Sequence, residues 1–331
     1  MTSAGSTITE IRNSSALLNC YTLRDAQKLH YMQFRAAGLG ISAHPARKHL
    51  AGWCQVQLLP KSDKSITFTL TFSLRNANNR RKRHFIRKNG MKNLFDIHCH
   101  IVPAVDDGAK TMDMALQMLQ MEYEDGVRSI ILTPHYRREM FETPQEKIER
   151  QFALLKEKSE EKFGKKLRLY LGCEFHANMT MVDTLLGKER PTMGGSDYVL
   201  TEFSGATDFS FARERIYDLV SHGYIPIVAH VERYPQIRKD MGNLEALRDI
   251  GAYLQVNAGS ILGEDGFAVK RFCKKLMKNN LLDFVGTDSH RTNKRIPNLG
   301  ACAEYMEKKM GHDYTERILV RNPQRIIENI G

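Results

Sequence analysis

The sequence from residue 91 to residue 331 predicts an α/β fold built on a parallel sheet. Short apolar runs alternate there with amphipathic helical patterns, which is typical of consecutive βαβ units. Six of the seven apolar runs are followed by His, Glu or Asp, either directly or after one intervening residue. Composition and periodicity also change abruptly at Met91, so the domain is expected to begin there and to cover 91–331.

Seven strands are predicted in this part of the chain. They are the runs 94–97, 129–133, 168–173, 198–201, 226–229, 253–256 and 283–286. Between them lie helical segments with recognisable ends. Thr143-Pro144-Gln145-Glu146 has the form of a capping box with proline at the first helical position, and its helix is expected to stop at Gly164. Further helices are predicted at 208–222, 243–250 and 264–280, each closed by or near Gly or Asn.

The positive charge of the chain is confined to its first 90 residues. These hold 15 Lys+Arg and 3 Asp+Glu, a net of +12, out of the 49 and 38 in the whole chain. The other 241 residues therefore hold 34 basic and 35 acidic side chains, a net of −1. A groove for DNA normally needs a basic stripe, so the charge of this larger part does not favour a nucleic-acid enzyme.

Residues 1–90 are predicted to be a basic, unstructured extension. Only 65–74 alternates like a strand, and one strand is not stable alone. One interpretation is an arm that binds nucleic acid or an acidic membrane surface. The favoured interpretation is that Met91 is the true start and that 1–90 is upstream sequence, because composition changes at that point.

Cysteine use and hydropathy indicate a cytoplasmic protein. None of the six cysteines forms a C-x-x-C pair, which is typical of a reducing compartment. No apolar run approaches the roughly 20 residues of a membrane span, and the N-terminus lacks the apolar segment of a signal peptide. We therefore expect no membrane insertion.

The polar residues at the strand ends form the candidate site. They are His98, His100, His135, Glu174, Glu202, His230, Asn257, Asp288 and His290. Because the carboxyl ends of barrel strands meet on one face, this placement brings many ionisable groups together. Burying so many of them without counter-charge is costly, and metal ions supply that charge. The mixture of imidazole and carboxylate favours catalytic Mn, Fe, Zn or Co over a structural zinc site.

These motifs resemble the polymerase-and-histidinol-phosphatase (PHP) superfamily, in particular its bacterial capsule-associated, manganese-dependent tyrosine phosphatases. The resemblance rests on residues that occur in the family's order. They are Asp96-x-His98-x-His100, Val105-Asp106-Asp107-Gly108, Thr133-Pro134-His135, Gly172-Cys173-Glu174, Glu202-Phe203-Ser204, 229–234 (AHVERY) and Thr287-Asp288-Ser289-His290. Two further segments, 140–144 and 256–260, agree with the tyrosine-phosphatase subgroup. The resemblance implies a distorted seven-stranded TIM-like (β/α) barrel, the PHP fold, with three divalent ions.

The resemblance also implies a role for each site residue. His98, His100, Glu174 and Asp288 would hold the first ion; Glu174 would bridge to a second completed by Glu202 and His230; Asp107, His135 and His290 would hold the third. Arg233 and Arg295 match the arginines that the family uses on the phosphate.

The function implied is Mn²⁺-dependent hydrolysis of phosphotyrosine on protein. The expected substrate is the tail of a bacterial tyrosine autokinase that regulates capsular or extracellular polysaccharide synthesis. Alternatives left open are a small-molecule phosphatase of the histidinol-phosphatase type, a nucleic-acid enzyme and a non-enzymatic binding module. A cysteine-dependent phosphatase is excluded because no cysteine has arginine six residues later.

Overall fold

The computed structural model describes residues 11–12, 53–60, 65–73 and 90–329. The chain divides into two compact units, Met1–Ile86 and Arg87–Gly331. The predicted boundary at residue 91 falls near this division and stays a prediction.

The N-terminal unit contains a three-stranded antiparallel sheet. Its strands are β1 (Ile11–Arg12), β2 (Trp53–Pro60) and β3 (Ser65–Ser73), in the order β1-β3-β2. The alternating run 65–74 contains β3, although the extension as a whole was expected to be unstructured. It pairs along its length with β2, from Trp53 opposite Ser73 to Pro60 opposite Ile66, and the sequence did not predict that partner. The rest of the predicted extension lies outside the described residues.

The C-terminal unit is built on nine parallel strand segments. They are β4 (Leu94–Cys99), β5 (Val127–Leu132), β6 (His135–Tyr136), β7 (Arg168–Leu171), β8 (Glu174–His176), β9 (Tyr198–Glu202), β10 (Ile225–Val228), β11 (Tyr253–Asn257) and β12 (Phe284–Gly286). Six of them form a sheet in the order β12-β11-β10-β9-β8-β6, and three form the sheet β4-β5-β7.

Helices follow most strands. The α-helices of the described residues are Met112–Glu124, Gln145–Phe163, Met181–Leu186, Phe209–Ser221, Pro235–Arg238, Met241–Ile250, Ala258–Leu262, Phe267–Lys278, Leu299–Met310, His312–Glu316 and Asn322–Glu328. Short 3₁₀ turns lie at Gly164–Lys166, Met193–Gly195 and Val231–Arg233, and a π-helical turn lies at Arg317–Arg321.

The two sheets are joined where two of the predicted strands end. After β5 the strand is interrupted at Thr133-Pro134 and the chain continues as β6, because proline has no N–H for the ladder. After β7 it is interrupted at Gly172-Cys173, the last two residues of the third predicted strand, and the chain continues as β8. Each strand thus begins in one sheet and ends in the other. The mixed α/β fold with a curled parallel sheet is as predicted, whereas a barrel of seven continuous strands is not confirmed.

The first and last strands of this unit lie side by side. The N–H of Asp288 donates to the carbonyl of His98 at 2.7 Å, and the N–H of His100 donates to the carbonyl of Ser289 at 2.9 Å. These bonds bring the two histidine-containing motifs together at the carboxyl ends of the strands.

The predicted capping box at Thr143 is wrong. The helix begins at Gln145 with Pro144 as its N-cap and has no side-chain cap. The Thr143 hydroxyl instead donates to the carbonyl of Val105 at 2.6 Å, which ties this turn to the loop that contains Asp107.

The core of the C-terminal unit consists of two hydrophobic clusters, of which the larger lies between strands and helices. Strand residues such as Leu94, Ile130 and Val256 are fully buried against helix residues such as Leu119 and Leu276. Among the described residues, no helix has both the length and the apolar character that a bilayer span requires.

Candidate metal centre

All nine predicted ligands converge at the carboxyl ends of the strands. His98 lies on β4 and His100 one residue beyond it; His135 and Glu174 begin β6 and β8. Glu202 ends β9, and the remaining three follow β10 and β12. The set is completed by Asp107 on the loop after β4. Most of these side chains are buried, but Asp107 is about half exposed, with 47% of its side chain accessible.

The ligand atoms fall into four overlapping groups. In each group the nitrogen and oxygen atoms lie within 4.8 Å of one another. The groups are His98–His100–Glu174, His98–His230–Asp288, His135–Glu174–Glu202 and His100–Asp107–His135–His290. The first group contains three of the four residues of the first ion site that the resemblance implies, without Asp288, and the last contains the three residues of the third site together with His100. His135 also lies in the group with Glu174 and Glu202, and His230 lies in the group with His98 and Asp288. Each of these two histidines therefore fits a neighbouring ion site as well as the one implied for it.

Glu174 is at the centre of the cluster. Its Oε1 lies 2.8 Å from Nε2 of His230 and 3.2 Å from Nε2 of His98. Its Oε2 lies 2.9 Å from Nδ1 of His135 and 3.1 Å from Nε2 of His100. A carboxylate with both oxygens turned toward different imidazoles is placed to bridge two cations.

Three of the histidines are fixed in one tautomer by acceptors behind them. Nδ1 of His98 faces Oε1 of Gln255 at 3.3 Å, and Nδ1 of His100 faces Oδ2 of Asp106 at 2.8 Å. Nδ1 of His290 faces the backbone carbonyl of Asp288 at 2.9 Å. Because these oxygens can only accept, each Nδ1 carries the proton and Nε2 presents a lone pair to the cluster.

Burial and charge act in opposite directions on the central carboxyls. Burial alone would raise the pKa of Glu174 and of Asp288. The imidazole of His98, followed by other neighbouring cationic groups, instead lowers the pKa of both well below the ordinary value. At Glu202, burial and the nearby Glu174 carboxylate raise the pKa to about 7. The excess of carboxylate at this end of the cluster is what a bound cation neutralises.

The residues present fit divalent metal ions. Four buried atoms of the cluster have no partner with hydrogen-bonding geometry, namely Asp107 Oδ1, Glu174 Oε2, Asp288 Oδ1 and His290 Nε2. All four are oxygen or nitrogen atoms that ligate borderline or hard cations. Unsatisfied buried polar atoms are rare, and four from one cluster indicate missing ligand bonds.

Two arginines close the open side of the site. Arg233 Nη1 lies 2.7 Å from Asp288 Oδ2, and Arg295 Nη2 also pairs with Asp288. Both side chains are about one-third exposed, so they face both the cluster and solvent. Nε of Arg295 is buried and has no hydrogen-bond partner.

Backbone strain concentrates at the same place. His230, Asp288 and Arg295 adopt φ of 30°, 50° and 48°, in the left-handed region that non-glycine residues rarely enter. Such conformations persist where the surrounding structure holds them and are common at functional sites.

Two glycines allow the strands to approach closely beneath the cluster. A Cβ at Gly108 would lie 2.1 Å from the carbonyl oxygen of His100, and one at Gly286 would lie 2.5 Å from Cβ of His98. Neither position accepts a side chain without moving a metal-facing histidine. This explains glycine after the Asp106-Asp107 pair.

Sequence reasoning missed the residues that orient the ligands. Asp106 accepts from the N–H of His135 at 3.1 Å as well as facing His100. Gln255 accepts from the N–H of His230 at 2.7 Å, and the Tyr234 hydroxyl lies 3.0 Å from Nδ1 of His230. The pair of adjacent aspartates before Gly108 is the sequence feature that could have indicated a role for Asp106. For Gln255 the sequence shows only a polar amide residue within a predicted buried strand.

The described cysteines are structural. Cys99, Cys173, Cys273 and Cys302 are all buried, and burial raises the pKa of each thiol, to about 12 for Cys173. A thiol that is not ionised near neutral pH is a poor nucleophile.

Comparison with known proteins identifies the family. The family model "Capsular polysaccharide synthesis, CpsB/CapC" matches residues 94–328. The tyrosine-protein phosphatase CpsB of Streptococcus agalactiae serotype III is 32% identical over 241 residues, covering 71% of this chain and 99% of that protein. The tyrosine-protein phosphatase YwqE of Bacillus subtilis is 30% identical over 236 residues, covering 71% and 92%.

A solved structure agrees. It belongs to a report on the crystal structures of YwqE from Bacillus subtilis and CpsB from Streptococcus pneumoniae, which are described there as unique metal-dependent tyrosine phosphatases. It is 29% identical, covers 72% of this chain and 96% of its own, and superposes with a TM-score of 0.67. The chain belongs to the CpsB/CapC family of capsular polysaccharide synthesis proteins.

Proposed function

We propose that this chain is a metal-dependent protein-tyrosine phosphatase that does not use a cysteine nucleophile. The observation that carries the proposal is the cluster of nine His, Asp and Glu side chains with two partly exposed arginines beside it. The relatives over the same part of the chain are named tyrosine-protein phosphatases. Residues 91–331 would form the phosphatase domain.

Three divalent ions, Mn²⁺ in our proposal, would be held by the nine ligands. His98, His100, Glu174 and Asp288 would hold one, Glu174, Glu202 and His230 a second, and Asp107, His135 and His290 the third. Bound ions of this kind lower the pKa of coordinated water and neutralise charge on phosphoryl oxygens. Fe, Zn or Co would suit the same donor set.

The protein's own groups would bind and orient the phosphate. Arg233 and Arg295 would turn from Asp288 to the phosphoryl oxygens, for which a planar guanidinium offers paired, charge-assisted hydrogen bonds. Asp288 would then keep its contact with the Asn257 amide, which donates to Oδ2 at 2.8 Å. A phenolate leaves more easily than an alkoxide, so phosphotyrosine requires less protonation of the leaving group than an alkyl phosphate.

The natural substrate would be a phosphorylated bacterial tyrosine kinase that controls capsular polysaccharide synthesis. The family description supports a role in capsule synthesis, and the relatives' names support a phosphotyrosine substrate. A flexible kinase tail suits a site whose arginines are reached from solvent.

The test is phosphate release by the full chain, stripped of metal and resupplied with Mn²⁺. A phosphotyrosine peptide and histidinol phosphate are compared side by side. We expect peptide turnover that requires Mn²⁺ and is lost in His230→Ala. The matched control is His312→Ala, since His312 is largely exposed and pairs only with Glu307.

Two outcomes would overturn the proposal. Turnover of histidinol phosphate alone would make the chain a small-molecule phosphatase on the same metal site. Peptide turnover without added metal, and undiminished in His230→Ala, would remove the metal centre from the reaction.

A further inference from the structure

The helix Phe267–Lys278 has an exposed face on which every charged side chain is basic. Its exposed cations are Arg271, Lys274, Lys275 and Lys278, spaced at i, i+3, i+4 and i+7. At 100° per residue these side chains form one stripe along the helix. No acidic residue occurs within the helix. We refer to it below as the basic helix.

The cations of this stripe are unpaired. Arg271, Lys274, Lys275 and Lys278 form no ion pair or hydrogen bond with any other described residue. The remaining cation of the helix, Lys270, is engaged, since its Nζ donates to the carbonyl of Leu262 at 2.8 Å. The stripe is therefore a surface of positive charge without internal compensation.

Another surface helix shows that this is a local feature. Gln145–Phe163 is also strongly charged, but its side chains alternate in sign, as in Glu146-Lys147, Glu149-Arg150 and Glu157-Lys158. Such a mixture is what a merely solvated helix face carries. The described C-terminal part of the chain has a net charge near zero, so the basic helix is a segregated patch within a neutral unit.

The basic helix lies near one of the two arginines of the metal centre. The basic helix packs against the 3₁₀ turn Val231–Arg233, which carries the arginine that faces Asp288. Its first residue, Phe267, is 81% exposed and lies on the same face as Arg271 and Lys274. Two carboxylates precede the helix, but both are engaged: Asp265 contacts the Ser260 hydroxyl and Glu264 accepts from Asn298.

We infer that the basic helix is a docking surface for an acidic segment of the phosphoprotein substrate, next to its phosphotyrosine. The inference rests on the proposed phosphatase function and adds the substrate's chemical class. Phosphate would be held at the arginines, Phe267 would contact an apolar side chain beside it, and the unpaired cations would meet carboxylates further along the peptide. Complementary charge of this kind raises association rates and selects partners.

The length of the stripe fixes where those carboxylates should lie. A helix of 12 residues spans about 18 Å at 1.5 Å per residue. An extended peptide rises about 3.3 Å per residue, so roughly five consecutive residues would cover it. Acidic residues within about eight positions of the phosphotyrosine should therefore matter, and more distant ones should not.

A peptide fits this surface better than a membrane does. The apolar face of the basic helix, including Cys273, Leu276 and Met277, is buried in the protein core. Interfacial helices insert such a face into the lipid, and here it is not free to do so. Phe267 is the one large apolar side chain that the stripe exposes.

The experiment compares two phosphotyrosine peptides and free phosphotyrosine. One peptide carries five acidic residues near the phosphotyrosine and the other carries their amides. The test variant is Arg271→Glu/Lys274→Glu/Lys278→Glu in the full chain. The control, Lys158→Glu/Lys308→Glu/Lys309→Glu, makes the same change in net charge at exposed lysines of other helices.

We expect the test variant to raise KM for the acidic peptide about tenfold with unchanged kcat. Each exposed charge pair contributes little alone, so the effect comes from reversing three charges together. KM for the amide peptide and turnover of free phosphotyrosine should stay as in the wild type and the control. The difference should shrink at about 0.5 M salt, where the Debye length is roughly 4 Å.

The outcomes separate the two proposals. Equal KM for both peptides in wild type and test variant would overturn the docking surface while leaving the phosphatase intact. Binding to vesicles of anionic phospholipid is measured for the same proteins. If the wild type binds these vesicles, the test variant does not, and the peptide kinetics of the two are equal, the stripe would be a membrane-binding surface instead. No turnover of either peptide or of free phosphotyrosine by the wild type in Mn²⁺ would instead refute the phosphatase function itself. If the triple charge reversal fails to fold, Lys274→Gln/Lys278→Gln gives a milder version of the same comparison.

Discussion

Two pairs of buried carboxyl groups lie close together at the centre of this molecule and differ in their charge. Glu174 and Asp288 in the metal centre are fully buried, and so are Asp96 and Glu122 nearby. Burial is the largest influence on the pKa of all four. The net shift is nevertheless downward for Glu174 and Asp288 and upward for Asp96 and Glu122.

The neighbours explain the difference. Imidazoles and arginines surround the first pair, whereas the second meets mainly hydroxyl and amide groups. Asp96 accepts from the N–H and hydroxyl of Thr287 at 2.9 and 2.5 Å and from the N–H of His98 at 3.2 Å. Burial and the adjacent Asp96 raise the pKa of Glu122 well above its usual value. The surroundings of the first pair therefore favour the charged form, those of the second favour the protonated form, and the second pair holds two ligand-bearing segments together.

The substitution expected to have the largest effect on this contrast is Glu174→Gln. Glutamine keeps the shape of the side chain but has one neutral oxygen in place of the two carboxylate oxygens that face the imidazoles. We expect phosphate release to fall by about three orders of magnitude, as when a central charge-stabilising group is removed from an active site. Steady-state kinetics in Mn²⁺ and calorimetric Mn²⁺ titration measure the effect. Activity above a tenth of the wild-type value would contradict a bridging role.

The adjacent aspartates Asp106 and Asp107 differ in which part of a histidine they contact. Asp107 faces His135 and His290 at 3.6 and 3.4 Å, whereas Asp106 lies behind His100. Asp106→Asn should weaken Mn²⁺ binding by about 10- to 100-fold while retaining the site, as is usual for groups that orient a ligand.

Asp107→Asn removes a ligand and should abolish binding at the third ion. Calorimetric titration of both variants counts the sites and measures their affinities. Equal loss of one complete site in both would show that Asp106 is itself a ligand.

The sequence predicted which side chains converge because they occupy a recurring position. A His, Glu or Asp at the end of an apolar run is visible in one dimension, as at Glu174, Glu202 and His230. The orienting groups have no such signature, since Gln255 and Asp96 act through partners 25 to 191 residues away in the chain. Their roles exist only once the strands are side by side.

The fold was predicted to the level of its strands and helices but not of their continuity. Strand positions follow from apolar runs, and all seven runs do contain strand. The interruptions at Pro134 and Gly172 depend on how two sheets meet, where the N–H of Gly172 donates to Leu132 and that of Glu174 to Pro134. A local pattern does not contain that information.

Removing the metal should have a smaller effect that distinguishes the same two carboxyl pairs. Each ion at a hundred times its dissociation constant stabilises the folded chain by about 2.7 kcal/mol. For a unit of this size we expect a chelator to lower Tm by roughly 5–10 °C per site. Thermal scans with Mn²⁺ and with chelator measure the shift. It should be reduced in Glu174→Gln and unchanged in Glu122→Gln; an equal reduction in both would contradict the assignment.

The smallest expected effect concerns the proton on Glu122. Above its ordinary pKa of 4.5 the unfolded chain releases this proton, while the folded protein, whose pKa is raised, keeps it. Stability from this group is therefore complete below that value and falls as pH rises, by about 1.4 kcal/mol per unit until the folded pKa is reached. Glutamine has no proton to release, so Glu122→Gln should gain stability relative to wild type as pH rises. Urea unfolding at about pH 5 and about pH 8 measures the difference. A difference that does not change with pH would mean that Glu122 is ionised in the folded protein, and the contrast between the two carboxyl pairs would be wrong.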